Sequence, residues 1–242
     1  MAELGWLGVV RHGQSTGNVR AEEAELARTE VIDIAERDAD VPLTDLGQDQ
    51  ARAVGKWLAG LSEAQRPEAV VVSPYLRARQ TAELALDGLG VPVRVDERLR
   101  DRELGALDRL TRAGVEARLP GEAHQRRRLG KLYYRPPGGE SWADVLLRLR
   151  SLRRDLREDH PGGRVLLVAH DALALLLRYL VEGLGEEELL RLARTTAMAN
   201  GSISSWRLEG GVLRPERFNF VEHLHAAGTV STSQEDVRAE AG

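Results

Sequence analysis

The chain has 242 residues, 42% of them hydrophobic, and no cysteine, so it can bury a substantial core but has neither disulfides nor a thiol nucleophile. Its formal net charge of −4 argues against nucleic-acid binding, which usually goes with a strong basic excess. No run reaches the roughly 18 apolar residues of a membrane span, and no basic leader with an apolar stretch follows Met1, so we expect a soluble, cytoplasmic protein without a membrane partner.

Short apolar runs and helical periodicity alternate along the chain. Four runs predict strands: WLGVV (6–10), AVVVS (69–73), VPVRV (91–95) and VLLVA (165–169). Two predicted helices begin after Thr44 and after Ser141, and two more run from Asp171 to about Glu182 and from Glu186 to about Arg194. The segments 202–208 and 212–218 predict a hairpin. This alternation predicts an α/β fold, a three-layer α/β/α sandwich whose central sheet is mostly parallel.

The domain organisation is expected to be simple. No Gly/Ser-rich linker or internal repeat divides the chain, so residues 1–225 predict a single domain. The stretch 226–242 is small, polar and acidic, without periodic apolar residues, and predicts a disordered tail. One basic stretch, QRRRLGK (125–131), has two interpretations: a solvated surface segment, or a lid that attracts anionic substrates.

Basic side chains follow three of the predicted strands. Arg11 and His12 come at the end of the first strand, Ser73 and then Arg77 after the second, and His170 after the fourth. A single histidine at a strand end is more often structural, and a single arginine on a helix usually faces solvent. Ligands of open α/β sheets bind just outside the carboxyl ends of the strands. The convergence of these side chains at one edge therefore predicts a functional site.

The chemistry of these residues suits a phosphate group. Arginine grips phosphate oxygens with two parallel bonds, and the GQSTGN stretch (13–18) can wrap backbone N–H groups around an oxyanion. A partly neutral histidine can attack phosphorus, which makes His12 the best nucleophile candidate. Sequence signatures of serine hydrolases, P-loop proteins, dinucleotide-binding proteins and zinc proteases are absent. The closely spaced His223 and His225 could support a metal, but this interpretation is weak.

Five segments in series resemble the histidine phosphatase (phosphoglycerate mutase-like) superfamily. The first, RHGQSTGN, is similar to that family's R-H-G-E/Q-S/T-x-x-N motif. The others are PLTDLGQDQARAVG (42–55), SPYLRARQTAE (73–83, a helix start), VLLVAHDALALLLRYL (165–180) and NGSISSW (200–206). The resemblance implies that His12 becomes transiently phosphorylated, without a cofactor or metal. It places Arg11, Arg77 and His170 around the phosphoryl group, with Asn18 completing the pocket.

The general acid of the family has two candidates in this chain. The family usually has a glutamate in an L-x-E-x-x-x-G context, and LRDRELG (99–105) has Asp101 at that position. Glu103 is the second candidate, because strand-like alternation would point both carboxyl groups to the same side; Asp101 is favoured. Another departure is Asp171, where the family often has glycine. It either orients His170 or, as we favour, caps the following helix.

Three functions are compatible with the resemblance: a phosphatase, a phosphoglycerate mutase-type phosphoryl transferase, and a non-catalytic phosphate-binding module. No pocket residue is missing, which disfavours the binding module. The segment QRRRLGKLYYRPPGGES (125–141) has two prolines followed by GGES, which is more similar to the phosphatase branch. The sequence therefore predicts a metal-independent phosphomonoesterase of the histidine acid type, acting on small phosphorylated metabolites; it indicates neither the substrate nor the oligomeric state.

Overall fold

The computed structural model describes residues 2–233, which form one sheet flanked by helices. Its strands are β1 (Trp6–Arg11), β2 (Ala69–Val72), β3 (Val93–Val95), β4 (Arg164–Ala169), β5 (Ile203–Glu209) and β6 (Val212–Phe220). The α-helices of this described part are α1 (Thr16–Leu26), α2 (Asp45–Gly60), α3 (Leu76–Leu86), α4 (Arg112–Arg118), α5 (Pro120–Tyr133), α6 (Trp142–Asp159), α7 (Asp171–Glu182), α8 (Glu186–Thr195) and α9 (Glu222–Ala226). All predicted strands and helices are present, and α1 starts within the GQSTGN stretch; α4, α5 and α9 were not anticipated from the sequence.

The central sheet is mostly parallel, as predicted. Its strand order is β3-β2-β4-β1-β5-β6, and the first four of these strands are parallel to one another. β5 and β6 add an antiparallel hairpin beside β1. The hairpin turns at Gly210 (φ 59°) and Gly211 (φ 85°), and two successive positive φ angles match the twist of the flanking strands at no steric cost to glycine. The two glycines of EGG therefore fix the predicted hairpin.

Successive residues of β4 face two different cores. Val165 and Leu167 pack in a cluster with apolar residues of α6 and α7. Leu166 and Val168 belong to a second cluster, which contains residues of α2 and α3. Because side chains alternate along a strand, the sheet is buried on both faces, which explains the unbroken apolar runs in the sequence. The predicted three-layer arrangement is confirmed.

The described part of the predicted tail, residues 226–233, is bonded to the domain. Asn200 N donates to Thr232 O over 2.7 Å, and Gln50 Nε2 donates to Val230 O over 3.0 Å. These bonds hold the segment after α9 against the domain, contrary to the expectation of disorder from residue 226. The segment is held by hydrogen bonds and not by apolar side chains, so its sequence has no apolar pattern that would have indicated this contact. The remainder of the predicted tail, 234–242, lies outside the described residues.

The basic stretch 125–131 lies on α5, a helix at the surface. Arg127 and Arg128 are exposed, and the helix is kinked at Gly130, where φ is 73°. Only Ala123 and Leu132 of α5 are buried, so its polar faces meet solvent. In residues 2–233, every helix is too short or too polar to cross a membrane.

Candidate active site

Two histidines lie side by side at the carboxyl edge of the sheet. β1 and β4 are adjacent and parallel, with Arg11 opposite Ala169, so the residues that follow these strands are neighbours. The rings of His12 and His170 are 5.2 Å apart between centroids and meet edge to face. Both side chains are buried. The sheet register thus produces the juxtaposition that the strand ends predicted.

The ring of His12 is held in one orientation with one nitrogen left free to react. Its Nδ1 lies 2.7 Å from the carbonyl oxygen of Gly13, and because a carbonyl only accepts, Nδ1 must carry the hydrogen. Nε2 then keeps its lone pair. Burial lowers the pKa of His12 well below its ordinary value, and the positive charges of Arg77 and Arg11 lower it further. The neutral, nucleophilic form is therefore favoured at cellular pH.

Arg77 is buried beneath the site rather than exposed on its helix. Its Nη1 lies 3.0 Å from Asp38 Oδ1 and its Nη2 lies 3.0 Å from Asp101 Oδ2. The guanidinium also stacks over the Tyr75 ring, 4.9 Å from its centroid. Arg79, two residues further along α3, is exposed. The position of Arg77 at the first turn after β2 accounts for this difference.

The floor of the site consists of Arg11, His12, Arg77 and His170, and two of its buried nitrogens lack hydrogen bonds among the described residues. Arg11 donates from Nη1 to the Met198 carbonyl, but its Nε has no partner. His170 Nε2 lies 2.8 Å from Ser73 Oγ, whereas Nδ1 makes no hydrogen bond, although it lies 3.3 Å from Asp101 Oδ2. Unpaired buried polar groups are rare in folded proteins, so each is a candidate for binding a ligand. Both nitrogens suit an anion.

Asp101 and Glu103 have different environments. Both lie in irregular chain, so the alternation that we expected from the sequence is wrong. The carboxyl group of Asp101 faces the cavity, where Arg77 and His170 approach it. Glu103 is exposed, and its Oε1 accepts a bond of 3.3 Å from the N–H of Gly105. Only Asp101 is among the residues that line the cavity.

A buried ion pair supports the chain at Asp101 from behind. Arg148 Nε lies 3.1 Å from Glu140 Oε1, and both side chains are largely shielded from solvent. Arg148 also donates from Nη2 to the Asp101 carbonyl over 3.2 Å. Glu140 Oε2 accepts from the N–H of Glu103 over 3.2 Å. These bonds hold the irregular segment around Asp101 in place, although it belongs to no strand of the sheet.

Three polar residues that were not predicted as site residues hold the loop around His12. Gln50 Oε1 accepts from the N–H of Gln14 over 2.8 Å, and Thr81 Oγ1 accepts from the N–H of Gly13 over 3.0 Å. Asn200 Nδ2 donates to the carbonyl of His12 over 3.2 Å. These residues satisfy backbone groups that would otherwise be buried without partners. Each lies in one of the quoted family-like segments, which was the available signal.

The loop also needs glycine where two backbones touch. A Cβ at Gly13 would overlap the carbonyl oxygen of Gly47 at the start of α2. Thr44 caps that helix through a bond from the N–H of Gly47 over 3.0 Å. The close approach of the two segments explains why a glycine stands in each of them.

The N-terminus of α1 opens onto the cavity. Ser15 caps the helix, and Asn18 completes a capping box by accepting from the N–H of Ser15 over 2.9 Å. Both residues line the cavity, so the positive end of the helix dipole faces it. Asp171 is the first residue of α7 and accepts from the N–H of Ala172 over 2.7 Å, whereas the cap position is His170, which makes no side-chain capping bond.

The site residues enclose a cavity of about 420 Å³. Five of the predicted residues line it: Arg11, His12, Asn18, Arg77 and Asp101. His170 does not line the cavity, but its Nδ1 lies 3.3 Å from Asp101 Oδ2. No residue of the basic stretch 125–131 lines it, which favours the interpretation as a surface segment over that as a lid.

His223 and His225 do not form a metal centre. His223 is buried, with Nε2 3.0 Å from the carbonyl oxygen of Gly201, and burial lowers its pKa to about 4. His225 is exposed. Within residues 2–233, no three histidine or carboxylate side chains are grouped to hold a metal ion.

Comparison with known families decides the classification. The model of the histidine phosphatase superfamily (branch 1) matches residues 7–221, which is most of the chain. The chain belongs to this superfamily. Its family motifs coincide with the floor of the cavity described above.

Individual histidine phosphatase relatives include both phosphatases and mutases. The glucosyl-3-phosphoglycerate phosphatase of Mycobacterium tuberculosis is 33% identical over 175 residues, or 69% of this chain and 70% of the relative. A 2,3-bisphosphoglycerate-dependent phosphoglycerate mutase of Methylobacterium sp. is 32% identical over 189 residues, or 76% of this chain and 83% of the relative.

Solved structures of this superfamily have the same fold. The mycobacterial glucosyl-3-phosphoglycerate phosphatase in complex with VO3 has a TM-score of 0.70 and 30% identity, covering 88% of this chain and 98% of that chain. The α-ribazole phosphatase of Shigella flexneri has a TM-score of 0.70 at 21% identity, covering 89% of this chain and 96% of that chain. At that identity, the second likeness concerns the fold alone.

Proposed function

We propose that this protein is a phosphomonoesterase that hydrolyses small phosphorylated metabolites through a phosphohistidine intermediate on His12. The observation that carries the proposal is the free Nε2 of a neutral His12, which has Arg11 and His170, each with an unpaired buried nitrogen, as close neighbours. A phosphoryl group placed there meets a nucleophile on one side and donors around its equatorial oxygens. Arg77 adds a second positive charge at the same floor.

In the first step, His12 Nε2 attacks phosphorus. The N–P bond forms as the bond from phosphorus to the ester oxygen breaks, and the leaving alkoxide takes a proton from the carboxyl group of Asp101. In the second step, Asp101 takes a proton from water, which attacks the phosphohistidine and breaks the N–P bond. The sum converts a phosphate monoester and water into an alcohol and inorganic phosphate.

The roles of the remaining residues follow from their contacts. Arg11, Arg77 and His170 stabilise the charge on the transferring group, and Asn18 shapes the cavity beside them. We assign the hydroxyl hydrogen of Ser73 to the bond with His170 Nε2, so that the hydrogen of the neutral ring is on Nδ1, 3.3 Å from Asp101 Oδ2. No step requires a metal ion, so turnover should persist in EDTA.

The test is chemical trapping of the intermediate. His12→Asn should lower hydrolysis of p-nitrophenyl phosphate to background, because an amide cannot form the N–P bond. Wild-type enzyme quenched in alkali after milliseconds with labelled substrate should carry acid-labile phosphate on His12. His225→Asn, which changes an exposed histidine, is the matched control and should retain both signals. Turnover in folded His12→Asn comparable with the wild type would refute the proposal.

A phosphoglycerate mutase is the second candidate, because one of the relatives has that name. The same preparation should therefore be assayed for phosphoryl transfer between the hydroxyls of phosphoglycerate. A mutase would retain the phosphohistidine and release little phosphate, whereas the proposed phosphatase releases phosphate and leaves the isomer unchanged.

A further inference from the structure

The cavity extends beyond its phosphate floor along one face of α1. Asn18, Ala21, Glu22, Glu25 and Leu26 all line it, at successive steps of three, one, three and one residues. Positions spaced in this way lie on one side of a helix. Only Ala24 of α1 is buried, so the helix directs its main face toward the cavity and not toward a core.

We call the lining of the cavity beyond the floor its wall. Part of this wall is apolar and open to solvent. Leu26 lies at the end of α1 with 79% of its surface exposed, although it is a large aliphatic residue. Ile34 and Leu104 line the same cavity and are partly exposed. Exposed apolar side chains grouped beside a polar floor are typical of a surface that meets the organic part of a ligand.

The charged part of the wall is mainly acidic. Beyond the floor, the cavity is lined by the carboxylates of Glu22, Glu25, Glu36 and Asp108 and by the guanidinium groups of Arg102 and Arg109. The carboxylate of Asp38 also lines it but is paired with Arg77. Acidic groups outnumber basic ones, in contrast to the floor.

Both arginines of the wall are engaged by backbone carbonyls. Arg102 donates from Nε to the carbonyl of Glu140 over 2.7 Å. Arg109 donates from Nη2 to the carbonyl of Glu36 over 2.9 Å. Each arginine thus uses part of its donor set on the protein itself, while the four carboxylates still outnumber the two guanidinium groups.

We propose that the alcohol part of the substrate is an aliphatic chain that carries no negative charge and is either uncharged or amine-bearing. The inference rests on the proposed phosphatase function and defines the substrate class of that site. A second phosphate or a carboxylate on the alcohol would lie against the carboxylates of α1 and of residues 36 and 108. An aliphatic or amine-bearing alcohol meets apolar side chains and attractive charge instead.

The experiment compares three alkyl phosphates of equal chain length: butyl phosphate, its terminal carboxylate analogue and its terminal amine analogue. At low ionic strength, each net carboxylate about 10 Å from the substrate charge changes kcat/KM about twofold. We expect the amine analogue to exceed the carboxylate analogue about tenfold, and butyl phosphate to exceed the carboxylate analogue as well. The preference should weaken in high salt.

A double variant tests whether the carboxylates of the wall cause this preference. Glu22→Gln combined with Glu36→Gln removes two carboxylates from the wall and should bring the ratio of amine to carboxylate analogue close to one. Glu23→Gln is the matched control, because Glu23 lies on the same helix, outside the cavity, and pairs with Arg20 over 2.9 Å. That control should keep the wild-type ratio.

The outcomes separate the inference from the function beneath it. Equal rates for the three esters, or faster turnover of the carboxylate analogue, would overturn the inference while leaving a working phosphatase. A ratio unchanged in the Glu22/Glu36 double variant would overturn it too. Absence of both turnover and phosphohistidine with every ester would instead remove the proposed function.

Discussion

Replacing Asp101 with asparagine should slow the hydrolysis of alkyl phosphates far more than that of p-nitrophenyl phosphate. An alkoxide must receive a proton as its bond to phosphorus breaks, whereas a nitrophenolate leaves readily without one. Asparagine keeps an oxygen that can accept from Arg77 Nη2, which lies 3.0 Å from Asp101 Oδ2 in the wild type. The change therefore removes the acidic proton while preserving the shape of the site.

The expected size of the effect follows from these contacts. General acid catalysis contributes about 10²–10⁴-fold, equivalent to ~3–5 kcal/mol of barrier at about 1.4 kcal/mol per tenfold change. Asp101 Oδ2 also lies 3.3 Å from His170 Nδ1, so asparagine disturbs the pocket charge for both substrates equally. The ratio of the two rate losses isolates the proton, and we expect a ratio of at least about 100.

Glu103→Gln is the matched comparison for this prediction. Glu103 is exposed and contacts the Gly105 N–H, so its substitution should affect both esters by less than about threefold. Single-turnover measurements are required, because Asp101 also serves the second step and steady-state rates would mix the two. A strong dependence on the leaving group in Glu103→Gln, with none in Asp101→Asn, would refute this reading of the site.

Two further predictions concern the floor. Arg77→Lys should lower kcat/KM by about 10²–10³-fold, because lysine keeps the charge but loses the planar fork. The control Arg79→Lys should leave kcat/KM within about twofold of the wild type. Equal losses in the two variants would contradict a phosphate role for Arg77. Histidine signals followed by NMR in phosphate-free enzyme should show His12 neutral from pH 7.5 to below pH 6.5, since burial and then the charge of Arg77 lower its pKa. Titration of His12 at or above the ordinary histidine value near 6.5 would show that the ring is solvated.

The sequence predicted the floor of the site because the sheet determines it. Unbroken apolar runs indicate strands buried on both faces, and parallel neighbours bring their carboxyl ends to one edge. The pairing of β1 with β4 therefore brings together Arg11, His12 and His170. Predicting that these two strands are parallel neighbours is enough to predict this part of the site. Arg77 follows by one helical turn.

The cavity wall escaped prediction because no core periodicity marks it. α1 has one buried residue, Ala24, and is stabilised at its start by a capping box. Asp101 and Glu103 were misassigned to one face, because alternation holds only for chain that pairs in a sheet. Their actual orientations depend on Glu140 and Arg148, which are distant in sequence from the residues they support.

The floor and the wall consequently have different tolerance to substitution. Floor residues are tied to the sheet, and changing them leaves buried polar groups without partners, as for the backbone around His12 that Asn200 and Thr81 satisfy. Exposed wall residues such as Glu22 and Leu26 support no core, so their replacement alters stability by only about 0.5 kcal/mol. The residues proposed for phosphoryl transfer can therefore stay the same at the edge of the sheet while the exposed face of α1 changes. Proteins that share such a floor can differ in substrate in this way.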